Sequence, residues 1–186
     1  MGSFVPTISF CFLFSVLLFV ATCSASYYVR DADDDGTAHL HFYMHDDYTS
    51  PHPTAMRVIT APSMNSESSS PRRFRDIVVL NNVLTEDPSP DSQAIGKAQG
   101  FAVRVAEDGI VSDLSLHLAF EDGPLKGSSL AVHGRIAMDQ PVRESVVVGG
   151  TRHFRFAKGY LLSKNYDYNL KDGGIVKMDV YVSHQH

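Results

Sequence analysis

Along most of the chain, apolar and polar residues alternate one by one. In Ala38–Asp46, Leu40, Phe42 and Met44 fall on one side, and His39, His41, Tyr43 and His45 on the other. Leu114, Leu116, Leu118 and Phe120 alternate with Ser115, His117 and Ala119, and Val176, Met178, Val180 and Val182 with Lys177, Asp179 and Tyr181. A period of two sustained this long predicts half-buried β-strands, because successive strand side chains point to opposite faces. The same reading predicts strands over Met56–Thr60, Asp76–Leu84, Ala98–Val105, Ser128–Ile136, Arg143–Val148 and Phe154–Ser163. Turn signals separate them: Glu107-Asp108-Gly109, Glu121-Asp122-Gly123-Pro124, Gly149-Gly150 and Asp172-Gly173-Gly174. No long window carries a 3.6-residue period, and there is no internal repeat. Many short strands with short connections imply an antiparallel all-β domain, either a sandwich or a closed barrel. A small barrel removes its edge strands and can hold a ligand in its mouth.

Three longer connections interrupt this pattern. Asp47–Ala55 and Ala61–Arg73 are rich in Pro and Ser, and Glu86–Gln93 precedes the strand entry at Gly96–Gly100. Loops of this length read as rim or lid segments. Tyr27–Thr37 carries Asp31, Asp33, Asp34 and Asp35 with almost no apolar pattern, and reads as a mobile acidic arm. Its Asp-Ala-Asp-Asp-Asp-Gly run resembles part of a calcium loop but lacks the bidentate Glu six positions after the Gly.

The N-terminal segment has a different character. Residues 1–29 contain no Lys, Arg, Asp or Glu. Ile8–Ala21 is an apolar run too short to span a bilayer, and the small residues Cys23-Ser24-Ala25-Ser26 follow it. This reads as a secretory signal peptide cleaved after Ala25, although its first residues lack a Lys or Arg. The expected organisation is a signal at 1–25, an arm at 26–37 and a barrel domain at 38–186, released outside the cell. Both cysteines, Cys11 and Cys23, would leave with the signal, so no disulfide would brace the barrel. The net charge of −5 and pI near 5.9 argue against nucleic acid, which requires a basic footprint.

The chemistry concentrates at the end of the first long strand. Asp46 shares a face with Leu40, Phe42 and Met44. If that face is interior, a carboxylate sits near the rim in apolar surroundings, where burial raises its pKa and suits it to proton transfer. The alternative is an ordinary turn residue before Asp47. Arg143 stands in the otherwise apolar Pro141-Val142-Arg143-Glu144-Ser145-Val146 stretch. It is a candidate cation for an interior carboxylate, or the partner of neighbouring Glu144. His39 and His41 have metal-ligand spacing, but their face is opposite the apolar one, so an outer surface or a subunit contact accounts for them as well. No metal or other cofactor is expected. The sequence has no P-loop, no Gly-x-Ser-x-Gly, no dinucleotide fingerprint and no His-Glu-x-x-His.

Several of these segments, in order, resemble the plant dirigent family. They are Phe42-Tyr43-Met44-His45-Asp46, Pro51-His52-Pro53-Thr54-Ala55, Gly96-Lys97-Ala98-Gln99-Gly100-Phe101, Val146-Val147-Val148-Gly149-Gly150-Thr151 and Phe154-Arg155-Phe156-Ala157-Lys158-Gly159-Tyr160. The resemblance runs from about His39 to His184. It implies an eight-stranded antiparallel β-barrel similar to allene oxide cyclase, secreted and commonly trimeric. It also implies small phenolic substrates, either radicals made by an external laccase or peroxidase or quinone methides, whose coupling or ring closure the protein orients. Some members form lignans such as pinoresinol by this route. Others form pterocarpans from an isoflavanol.

By the same resemblance Asp46 and Arg143 are the candidate catalytic residues. Leu40, Phe42, Met44, Phe101 and Ile136 are the candidate substrate wall. The chain departs from the lignan-forming pattern at one acid, where Ile136 stands. Asp139, three residues on, could replace that acid only through a register shift. The terminal cysteines of that subgroup are also missing. Both departures point to the broader branch of the family and to a different substrate or product. A non-catalytic binder of apolar phenolics, and a structural wall protein, are the competing readings.

Overall fold

The computed structural model describes residues 29–32, 37–60 and 72–183. The signal segment, most of the acidic arm and residues 61–71 of the second long loop lie outside them.

Ten strands form one antiparallel sheet: β1 (Val29–Ala32), β2 (Thr37–Asp47), β3 (Ala55–Ile59), β4 (Ile77–Thr85), β5 (Ala94–Arg104), β6 (Val111–Phe120), β7 (Ser129–Ala137), β8 (Arg143–Thr151), β9 (Lys158–Asn169) and β10 (Gly173–Ser183). Their order is β1-β2-β10-β9-β8-β7-β6-β5-β4-β3, and a further β2–β4 pairing closes the ring. The result is the expected eight-stranded closed barrel, made of β2 and β4 to β10. A sandwich is excluded because the ring leaves no second sheet. The closing seam is short, joining Tyr43 to Thr85, Met44 to Leu84 and His45 to Val83. On either side of it β1 continues the edge of β2, and β3 that of β4.

The nine predicted strands all form, with ends displaced by up to six residues. The ninth shows the largest displacement. It starts at Lys158, because Arg152–Phe154 form a single 3-10 turn that seats Phe154 in the core. β1 was not foreseen. Its four residues belong to the segment read as a mobile arm, but they pair with β2 and carry no apolar alternation of their own.

The alternation decides which side chains fill the barrel. Leu40, Phe42, Leu84, Leu118, Phe120, Leu130, Phe154, Val180 and Val182 are almost fully buried. Phe42 packs edge-on against Phe120 at 6.2 Å, and Phe120 tilts against Phe154 at 5.7 Å. These residues close one end of the barrel. Each large side chain so buried is worth roughly 1.5–3 kcal/mol relative to exposure. The opposite end, where β2 ends and β10 begins, stays open.

Candidate active site

The open end holds a cavity with about 690 Å³ of space, counting its mouth. Its wall is mostly apolar, from residues such as Met44, Leu80, Leu116, Val132, Ile136 and Met178. An apolar lining with a few polar groups suits an aromatic ring that carries hydroxyls. Asp46 is the one carboxylate among the described residues that line it.

Asp46 is 7% exposed, so the apolar face of β2 does carry it inward. Burial raises its pKa, and four groups oppose the shift: the Tyr168 hydroxyl, the Arg72 charge, the Asn82 amide and the Arg104 charge. Tyr168 donates to Asp46 Oδ2 at 2.6 Å, and Asn82 Nδ2 donates to Oδ1 at 3.2 Å. Arg72 Nη2 in turn donates to the Tyr168 hydroxyl at 2.6 Å. The Tyr168 oxygen thus accepts from a guanidinium and donates to a carboxylate, a directional chain of three charged or polar groups. Burial and the Asp46 charge raise the Tyr168 pKa, so the phenol keeps its proton.

The sheet register explains how Tyr168 reaches Asp46 from two strands away. Asp46 on β2 pairs with Gly174 on β10, and Gly174 pairs with Tyr168 on β9. Directly paired residues point to the same face, so any side chain at 174 would stand between the two. A Cβ there would meet the Asp167 carbonyl oxygen at 2.1 Å, and the backbone at φ +140° favours glycine. The Asp172-Gly173-Gly174 signal, read in the sequence as a turn, is therefore also the gap across which the chain of hydrogen bonds runs.

Arg143 is interior, as expected, but it does not serve Asp46. It is 5% exposed and donates to Asn165 Oδ1 at 2.8 Å, to Ser163 Oγ at 3.4 Å and to the Gln140 carbonyl at 3.5 Å. The alternative pairing with Glu144 also fails, because Glu144 lies on the outer face of the same strand. The cations whose charge acts on Asp46 are Arg72 and Arg104. Sequence reasoning missed both. Arg72 sits in a Pro/Ser-rich loop, and Arg104 ends a strand where a charged residue reads as a rim position. A sequence signal did exist for Arg104, which keeps the inward parity of Ala98 and Ala102.

The expected apolar wall divides into three groups. Met44 and Ile136 line the cavity. Leu40 and Phe42 face the interior but lie deeper, in the packed closed end. Phe101 is a correction: it is 47% exposed, because it has the opposite strand parity from Ala102 and points outward. Asp139 is exposed in the turn after β7, so no register shift carries it to the place of Ile136.

The histidines of β2 occupy the outer face. His39 and His41 both contact Asp179 Oδ1 on β10, at 3.0 Å and 2.7 Å. His39 stacks on Tyr181, and Tyr181 on Tyr160. His45 is tied to Thr85 Oγ1 at 2.7 Å across the seam. No cluster of three or more metal-ligating side chains occurs among the described residues.

A family profile described as Dirigent-like protein matches residues 37–183. The chain belongs to the dirigent family. It is 35% identical over 175 residues to pterocarpan synthase 1 of Glycyrrhiza echinata, covering 90% of this chain and 92% of that protein. It is 38% identical over 148 residues to pterocarpan synthase 1 of Glycine max, covering 78% of each, and 33% identical over 151 residues to dirigent protein 21 of Arabidopsis thaliana, covering 81% of this chain and 78% of that protein. A solved pterocarpan synthase dirigent protein superposes with a TM-score of 0.73 at 37% identity, covering 81% of this chain and 91% of the other. The dirigent barrel, the family and a general dirigent role on phenolics therefore stand.

Proposed function

We propose that this dirigent protein binds a phenolic quinone methide in the barrel mouth and sets the stereochemistry of its ring closure, using Asp46 as the proton-transfer group. The observation that carries this reading is the buried chain Arg72–Tyr168–Asp46 in a mostly apolar wall. A carboxyl whose pKa is raised by burial holds its proton to a higher pH than an ordinary carboxyl, which suits it to proton transfer. The similarity to pterocarpan synthases favours an isoflavanol precursor.

The proton balance then closes without an oxidant. Asp46 in its acid form protonates the benzylic hydroxyl, which leaves as water. Loss of a phenolic proton gives the quinone methide. A second phenol oxygen adds to the electrophilic carbon and releases its proton; this proton and the one lost by the first phenol restore that phenol and the acid form of Asp46. One water is lost overall. Coupling of phenoxy radicals in the same cavity would instead need an external laccase or peroxidase to supply them.

The test is to incubate the pure protein with a racemic isoflavanol and follow dehydration by mass spectrometry and product chirality on a chiral column. A parallel reaction contains coniferyl alcohol and a laccase. Enantiomeric excess in the first supports ring closure; excess in the second alone moves the assignment to radical coupling. Racemic product at the uncatalysed rate in both overturns the reading.

Two further parts of the proposal concern setting. The protein acts outside the cell after loss of residues 1–25, which N-terminal sequencing of protein recovered from extracellular fluid checks. It also works as a homo-oligomer, the expected state being a trimer. Two outward apolar rows support association: Met56, Val79 and Phe101 are successive cross-strand partners, as are Val146, Tyr160 and Tyr181. Light scattering on the eluted protein reads the mass.

A further inference from the structure

A second cavity lies beside the first on the open end, lined by residues that include Arg57, Asp76, Thr49 and Lys171. Tyr48, Arg72 and Arg104 line both cavities and so form the wall between them. Charge is distributed unevenly across this pair of cavities. The whole chain carries a net −5. Among the described residues, however, the two cavities are lined by five cations, Arg57, Arg72, Arg104, Arg143 and Lys171, and by two carboxylates, Asp46 and Asp76. Asp76 is committed to Arg57 at 3.3 Å. Asp46 accepts from Tyr168 and Asn82.

Arg104 is the least satisfied of these cations. It is 5% exposed, and its side chain donates through Nη1 to the neutral Ser112 hydroxyl. Its Nε is buried with no hydrogen-bond partner. Arg143 is equally buried and is held by neutral acceptors. A guanidinium keeps its proton at any pH a folded protein tolerates. Buried charges are normally paired, because desolvation costs several kcal/mol per ion. Asp46 acts on Arg104 through its charge but accepts no hydrogen bond from it, and the strand row of Arg104 adds no anion: Arg104 pairs with Ser112, and Ser112 with Ile136. An apolar side chain ends that row.

We propose that the ligand supplies the missing charge: the site takes a phenolic that carries its own carboxylate, with the ring in the inner cavity and the carboxylate on Arg104 at the wall between the two cavities. This rests on the inner cavity being the phenolic site, and it specifies, in place of a neutral isoflavanol, a quinone methide precursor that bears a carboxylate. Arg104 lines both cavities, so the guanidinium edge that faces them can donate to a carboxylate while Nε stays buried behind it. Arg72, stacked at 4.7 Å over Tyr48, lies on the same wall and adds to the positive field.

The test uses two probes that share one ring, coniferyl alcohol and ferulate, titrated calorimetrically against the whole protein near neutral pH. Ferulate is expected to bind at least about tenfold more tightly, the equivalent of about 1.4 kcal/mol. Arg104→Gln should abolish this preference, and Arg104→Lys should restore part of it. Ile136→Asp, which places a carboxylate in the row of Arg104, should abolish the preference without removing any cation. Thermal unfolding of each variant confirms folding, and the comparison in the unaltered protein stands even if a variant does not fold. Equal or tighter binding of the alcohol overturns the inference and leaves the cavity assignment intact. Binding of neither probe overturns both. A ferulate preference that survives both Arg104→Gln and Ile136→Asp overturns the placement on Arg104.

Discussion

Replacing Tyr168 by Phe removes one oxygen from the centre of the buried chain and nothing else. Two hydrogen bonds of 2.6 Å disappear, one donated to Asp46 and one accepted from Arg72. Hydrogen bonds to charged groups are worth roughly 1.5–3 kcal/mol each, and these two share an atom, so their losses do not add in full. A combined destabilisation of about 3 kcal/mol is the resulting magnitude, or roughly 6–12 °C in Tm for a domain of this size. The effect depends on pH with a definite sign. Burial raises the Asp46 pKa in the folded state, so between the ordinary carboxyl value and the raised one the folded chain holds more protons than the unfolded chain. Stability from this group is fully present below the ordinary value of 3.8 and falls as pH rises through the folded value. The Tyr168 hydroxyl opposes the shift, so the Phe variant widens that window. It should lose more stability at pH 7 than at pH 4. Differential scanning calorimetry of both proteins across this range is the assay. A Tm difference that is the same at both pH values, or below about 2 °C at pH 7, would refute the reasoning that Tyr168 stabilises an ionised Asp46.

Other consequences are open to measurement. Asp46→Asn should keep phenolic binding but lose product control and slow ring closure by roughly 10²–10⁴-fold, as read by chiral chromatography and calorimetry together. Gly174→Val should block the gap between Asp46 and Tyr168 and strain a backbone at φ +140°; loss of folded protein, or of the Asp46-linked pH dependence, checks it. Phe120→Ala should cost about 3–5 kcal/mol in a denaturant titration by opening a void at the closed end. Phe101→Ser should leave ligand affinity unchanged and lower the mass seen by light scattering.

What could be read from the chain followed the physics of each signal. The barrel was legible because inward and outward residues alternate over long stretches; parity offered Met44 and, beside a turn-residue alternative, Asp46 as interior, whereas Ile136 was named only through the family resemblance. The same rule, applied to Phe101, would have sent it outward. Its place in a recognisable motif outweighed its parity, and the structure reverses that order. Arg143 was found because a charge in an apolar strand stands out. The partners of Asp46 were hidden because they arise from register: Tyr168 lies 122 positions away and reaches across a glycine. Arg72 arrives on a loop with no periodicity to announce it. β1 was invisible because four residues hydrogen-bonded at an edge need no apolar pattern.

The barrel separates two kinds of change along its axis. At the closed end, Phe42, Phe120 and Phe154 interlock, and a substitution there registers as lost folding. At the open end, the seam between β2 and β4 spans three residue pairs, and β2 then departs so that β3 takes over the edge of β4. The mouth is thus bordered by a handover between strands rather than by continuous ladder. A lineage can alter the loop from Tyr48 to Thr54, or exchange Ile136 for another side chain, while the aromatic floor keeps the ring closed. Substrate choice and foldedness can then vary almost independently within one chain.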